Sequence, residues 1–186
     1  MNKKLLKEII KEDKKIYFGN FSFKNIFKKI TKYPYCEIGK YIIYCRKAGY
    51  YTNNCKGIFN LMLCVYYTRK KNIMGQKVNI EFGPNEFGRR LRIYHGNVVV
   101  NGYCKIGDDC SLYGSNCLGN KGTGYDLKDV PQIGNNVSVG VGTKIIGNVK
   151  INDGISISSA SLVNKDLSEK NALYAGVPVK FIRNLE

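Results

Sequence analysis

Apolar residues fall on two different grids along this chain. Up to Gly75 they recur at helical spacing. Leu5, Leu6, Ile9 and Ile10 form one stripe within a Lys-rich segment. Ser22 stands at a capping position ahead of Phe23, Ile26, Phe27 and Ile30, which share a helix face, and Pro34 is expected to end that run. A third helix is expected from about Glu37 to Lys47, stopping at Gly49. A fourth is expected from about Gly57 to Met74, with Phe59, Met62, Leu63 and Tyr66 on one face and Gly75 as its stop.

Beyond that point the period becomes six. Val100, Ile106, Leu112 and Leu118 lie on it, and after a break so do Ile133, Val139, Ile145, Ile151, Ile157 and Val163. The next residue is often Gly or Asn, types that tolerate a tight corner. Four residues after the aliphatic, small or medium side chains recur: Cys104, Cys110, Val137, Thr143, Val149 and Ser161. One buried aliphatic per hexad is the signature of a hexapeptide β-helix, in which three hexads close a triangular coil and coils stack. The fold expected is therefore mainly β: a left-handed parallel β-helix with an α-helical N-terminal part. Its boundaries are residues 1–75 and 76–186, with an excursion loop over 119–131 and a C-terminal closing segment.

Composition sharpens this picture. The 186 residues and 44% apolar content suit one domain, or one domain with a small appendage, and a real core. Thirty Lys and Arg oppose fourteen Asp and Glu, for a net +16, and residues 1–75 carry seventeen of the cations with four of the anions. No apolar run approaches the roughly 18 residues of a membrane span, and the N-terminus lacks a signal-peptide pattern, which points to a cytoplasmic protein. Seven cysteines without a CxxC pair read as reduced, mostly buried thiols, not as a disulfide framework or a zinc site. There is one histidine, His95, so no metal site built from several histidines of one chain is expected.

Three stretches carry a resemblance: IEFGPNEFGRRLRIYHGNVVVN (Ile80–Asn101), PQIGNNVSVGVGTKIIGNVKI (Pro131–Ile151) and AGVPVKFIR (Ala175–Arg183). Together they resemble the hexapeptide-repeat acyltransferases, and among them the serine acetyltransferase-like branch. The basic, Tyr-rich N-terminal part is also similar to the subset that acetylates bacterial surface polysaccharides. The resemblance implies a homotrimer with sites between subunits, acetyl-CoA as donor and a hydroxyl as acceptor.

Acyl transfer to a hydroxyl needs a base for the hydroxyl proton, and an imidazole, ordinarily titrating at about 6.5, suits it. His95 falls where the family places that base. Glu81 matches the carboxylate that holds the ring's second nitrogen, with Glu for the more usual Asp and one residue less before the histidine. By the same resemblance Val141, Gly142, Ser159 and Ala160 line the CoA groove, and Lys165, Lys180 and Arg183 are candidates for its phosphates. Tyr94, Arg92, Asn101 and Lys121 are candidates for the acceptor pocket. No metal is implied, and a nucleophilic cysteine is disfavoured.

One departure bears on the acceptor. Serine acetyltransferases carry a second histidine just before the PxIG segment, where this chain reads Asp129-Val130-Pro131. The acceptor expected is therefore a sugar hydroxyl, in capsular or other surface polysaccharide synthesis, with serine O-acetyltransfer of cysteine biosynthesis as the alternative. A non-enzymatic basic β-helix scaffold is the rival from another class. The basic N-terminal part reads as a solvated helical cap, or as a peripheral contact with an anionic membrane surface at its inner face. It carries no nucleic-acid-binding motif.

Overall fold

The computed structural model describes residues 2–20, 22–83, 87–122, 126 and 128–185. Pro84–Glu86 of the first resembling stretch, and Thr123–Tyr125 and Leu127 of the expected excursion, lie outside them. The chain divides into two compact units, Met1–Pro84 and Asn85–Glu186.

The first unit is helical. Helix α1 (Lys3–Phe18) is capped by Asn2, whose side chain accepts from the Leu5 N–H at 2.8 Å. It buries Leu6, Ile9 and Tyr17. Asp13 lies among them and meets the Arg46 guanidinium at 3.0 Å, an ion pair closed off from water on both sides. Removing either partner would strand a buried charge. Helix α2 (Phe23–Ile30) starts at Ser22 as expected, and its side chain accepts from Asn25 N at 3.2 Å.

Three expected helix ends are corrected. Pro34 does not terminate α2, which closes at Thr31; it opens α3 (Pro34–Asn53), at the first-turn position where its missing N–H costs nothing. Gly49 does not stop α3, which runs through it to Asn53. Helix α4 (Ile58–Val78) likewise continues through Gly75 and ends at Asn79, which takes the left-handed conformation. Gly75 is there for packing. A Cβ on it would stand 2.7 Å from the Ile80 carbonyl and 3.0 Å from the Tyr41 ring. Tyr41 in turn accepts from Phe82 N at 2.9 Å, tying α3 to strand β1 (Ile80–Phe82). Glu37 is buried between the ammonium groups of Lys40 and Lys77. Burial raises its pKa, but the two cations outweigh that and hold it below its ordinary value. Phe59, Met62 and Tyr66 of α4 point to solvent.

The second unit is a left-handed parallel β-helix. Its first face holds β3 (Val98–Val100), β6 (Cys117–Gly119), β9 (Lys144–Ile146) and β12 (Leu162–Val163). The second holds β4 (Lys105–Ile106), β7 (Gln132–Ile133) and β10 (Lys150–Ile151). The third holds β2 (Arg92–Ile93), β5 (Ser111–Leu112), β8 (Ser138–Val139), β11 (Ser156–Ile157) and β13 (Ala172–Ala175), with β14 (Lys180–Asn184) returning antiparallel. The strand register stacks the aliphatics into columns. Val100, Leu118, Ile145 and Val163 form one; Ile106, Ile133 and Ile151 another; Ile93, Leu112, Val139 and Ile157 a third. All ten hexad aliphatics are buried, and so are Cys104, Cys110, Val137, Thr143, Val149 and Ser161 beside them.

Two corners of the prism differ in how they are held. Between the second and third faces, Asp108, Asn135 and Asp153 form a ladder, accepting from Arg89 N, Asp108 N and Asn135 N at 2.7, 2.8 and 2.7 Å. Beside it Arg90 clamps Asp109 through Nε and Nη2 at 2.7 and 2.6 Å. The expected excursion falls at the corner between the first and second faces, between β6 and β7.

Candidate active site

His95 stands on the ridge between the third and first faces. Four coils cross that ridge, and their backbone bonds align them residue by residue. Tyr94 N bonds to Leu112 O, Tyr113 N to Val139 O and Gly140 N to Ile157 O on one side. Ser115 N bonds to Gly96 O, Gly142 N to Gly114 O and Ala160 N to Val141 O on the other. Stacked from the top, the coils read Tyr94-His95-Gly96-Asn97, Tyr113-Gly114-Ser115, Gly140-Val141-Gly142 and Ser158-Ser159-Ala160. The last residue of each is left-handed, with φ of 59°, 53°, 75° and 55°. The first coil therefore carries one residue more than the others, and that residue is His95. It is the one-residue surplus of a bulge, a device that re-aims a side chain out of the repeat. The imidazole is exposed at the head of the ridge.

The backbone under it is built to fit. A Cβ on Gly114 would stand 2.7 Å from the His95 Cβ, so only a bare backbone passes there, and its φ of +115° is one that glycine adopts freely. Gly114 is held from within by Asn116, which is 1% exposed. The Asn116 Oδ1 accepts from Gly114 N at 2.9 Å, and its Nδ2 donates to the Gly140 carbonyl one coil down at 2.8 Å. On the third face beside the histidine, the rings of Tyr94 and Tyr113 stack at 4.7 Å with 17° between planes.

The ridge gathers part of the expected site. Val141 and Gly142 lie two coils below the histidine, and Ser159 and Ala160 three below, about 14 Å away at the usual inter-strand spacing. Lys180 pairs with Ala175, at the foot of the same ridge, and Arg183 pairs with Leu173 further along β14. Arg92 is half-buried on β2, within electrostatic reach of Asp109. Asn101, Lys121 and Lys165 are not gathered: they lie at the opposite corner of the first face, with the Lys121 stem against Gly147. Glu81 is an exposed position of β1, in the first unit.

Sequence reasoning missed Gly114, Asn116 and Tyr113. A signal for the surplus residue was present. Ile93 and Val100, both interior, are seven apart where the hexads step by six. Two cysteines of the β-helix, Cys104 and Cys110, are buried and unsuited to nucleophilic work. Burial pushes the Cys104 thiol up to about 12 and the Cys110 thiol up to about 11. Among the described residues there is no cluster of three or more potential metal ligands, and no helix is long and apolar enough to cross a membrane.

The prism of stacked hexads is the fold of hexapeptide-repeat transferases. Serine acetyltransferase of Brucella abortus strain S19 superposes with a TM-score of 0.74 at 21% identity, covering 98% of this chain and 70% of that one. Its complex with coenzyme A gives 0.74 at 19% identity over 99% of this chain and 70% of that one. In sequence, the chain is 33% identical over 128 residues to serine acetyltransferase of Staphylococcus aureus (strain MW2), covering 63% of this chain and 59% of the relative. The chain thus spans about three fifths of the curated relative it matches. No family model matches it.

These findings correct the expected acceptor. These relatives and structures are serine acetyltransferases, in sequence and in fold, so the sugar hydroxyl and the capsular role are withdrawn. That expectation leaned on the segment Asp129-Val130-Pro131, in which Val130 is fully buried, and on the likeness of the basic N-terminal part.

Proposed function

We propose that this chain is an acetyl-CoA-dependent serine O-acetyltransferase with His95 as general base. The observation that carries the reading is the surplus residue. The chain breaks its own repeat once on this ridge, and does so to present its one imidazole above a ridge on which Val141, Ser159 and Ala160 are exposed. In the reaction the serine Oγ attacks the thioester carbonyl as the neutral imidazole takes its proton. The tetrahedral oxyanion then collapses, the C–S bond breaks, and the imidazolium returns the proton to the departing CoA sulfur.

Acetyl-CoA lies along the ridge in this reading, with the pantetheine arm over Val141–Gly142 and Ser159–Ala160 and with Lys180 near its phosphates. Small residues there allow close backbone approach, and ridge N–H groups serve as oxyanion donors. The chain works as a homotrimer, in which a neighbouring copy brings Asn101, Lys121 and Lys165 to the histidine's ridge. On sequence grounds Glu81 keeps its role as the carboxylate that orients the imidazole.

The test is release of CoA thiol from acetyl-CoA with L-serine, run beside D-serine, L-threonine and acceptor-free controls. Turnover that depends on L-serine, and is lost in H95A, is the expected result. Turnover indifferent to the amino acid, or an H95A variant as active as the parent, overturns the proposal.

A further inference from the structure

Helix α2 has the build of a surface anchor, independently of the acetyltransferase reading. Phe23, Phe27 and Ile30 share one side of this eight-residue helix and are 92%, 68% and 73% exposed. No residue of α2 is buried. Placed on a helix, Phe23, Ile26, Phe27 and Ile30 span an apolar arc of about 100°. Lys24 borders the arc on one side and Lys29 on the other, with Lys28 behind. Tyr33 continues the segment, half exposed, with Lys28 Nζ 5.3 Å from its ring centre. The helix is nonetheless well formed in the chain, since Ser22 caps it and Asn25 Nδ2 donates to Asn20 O at 2.7 Å.

The charge around this face selects its occupant. Six lysines and no carboxylate lie between Asp13 and Glu37. A second copy docking the same face would set lysine rims against each other. An acidic protein partner would satisfy the rims but gives no reason for two phenylalanines aimed outward and left wet. An anionic lipid surface answers both features: the rings enter the headgroup boundary while the lysines remain among phosphates. We infer that α2 is an interfacial anchor, lying in the surface of a membrane rich in anionic lipid. Among the described residues no helix is long and apolar enough to cross a membrane, so α2 adheres to the surface.

The experiment is co-sedimentation of the full chain with vesicles. One set is phosphatidylcholine with 30% phosphatidylglycerol, the other phosphatidylcholine alone, each in low and in 0.5 M salt. Three proteins are compared: the parent, F23S/F27S/I30S, and K24Q/K28Q/K29Q. The substituted side chains are exposed, so circular dichroism and size should match the parent. The expected result is partition of the parent onto anionic vesicles at least tenfold above neutral ones, released by salt. Both variants should lose it, the lysine variant selectively for the anionic set. Equal partition on both vesicle types, or none, overturns the inference. So does an F23S/F27S/I30S protein of smaller oligomeric size, which would make the face a contact between copies. Serine turnover in solution decides the previous proposal separately and does not enter this outcome.

Discussion

Gly114 carries His95 on its bare backbone, with only 2.7 Å between the place a methyl group would take and the histidine Cβ. Under the proposed function, G114A should therefore displace the imidazole while the backbone at Ser159 and Ala160, two coils further down, keeps its place. The expected outcome is a fall in kcat of tenfold or more, with KM for acetyl-CoA unchanged, read by thiol release. Displacement by about 1 Å has effects of this size.

Asn116 pins the backbone of the same corner. N116A removes both bonds that pin Gly114 and Gly140 and should cost about 2 kcal/mol of stability. If it also positions the histidine, the chain's one imidazole NMR signal should shift and broaden while the rest of the spectrum stays folded. An unmoved imidazole signal would leave Asn116 a merely structural group.

H95A should lose at least about 10²-fold in kcat, the scale of a positioned base, while melting at the parent temperature. E81Q keeps the shape and removes the charge. If it orients the imidazole, kcat should fall by about tenfold or more with the acidic limb of the pH–rate profile displaced. A flat response would leave Glu81 an exposed strand carboxylate.

The second unit was legible in the sequence because each coil buries its aliphatics against the next, so the packing rule prints itself every six residues. The ten aliphatics from Val100 to Val163 all proved interior. The helical unit was legible in type but not in its ends. Gly49 and Gly75 read as stops, since glycine disfavours helix by about 1 kcal/mol, yet tertiary packing overrides such a preference. At Gly75 the Ile80 carbonyl and the Tyr41 ring require it, and Tyr41 lies far away in the chain. In the sequence His95 stood out by its singularity. Asn116 did not, because a buried side chain that serves a neighbouring coil has no periodic signature. The acceptor was misjudged because one missing imidazole was weighed above the rest of the matching chain.

Thiol reactivity should follow burial. Cys55 is exposed and should react with an aromatic disulfide reagent within the mixing phase at pH 8. Cys45, Cys104 and Cys110 are desolvated, with thiols pushed up to about 12, 12 and 11, and should label only on unfolding. Fast labelling of Cys104 or Cys110 in the native chain would contradict the closed prism.

The clamp of Arg90 on Asp109 should give stability a pH dependence of known sign. The guanidinium's hydrogen bonds hold the Asp109 carboxyl below the usual carboxylate range. A depressed folded-state pKa stabilises above the unfolded value and loses that contribution as pH falls through the folded one. D109N should therefore melt below the parent at pH 7, by an amount worth about 1 kcal/mol, with the gap closing as pH falls below 4. A gap constant with pH would assign the loss to packing.

The surplus position at the ridge relieves residue 95 of any mechanical duty. Every other step of the prism must suit its upstairs and downstairs neighbours, but a residue outside the count answers to no column. Its identity can be exchanged without taxing the architecture, which makes that one site a socket for alternative side chains: an engineer could install other reactive groups there and leave the tower standing.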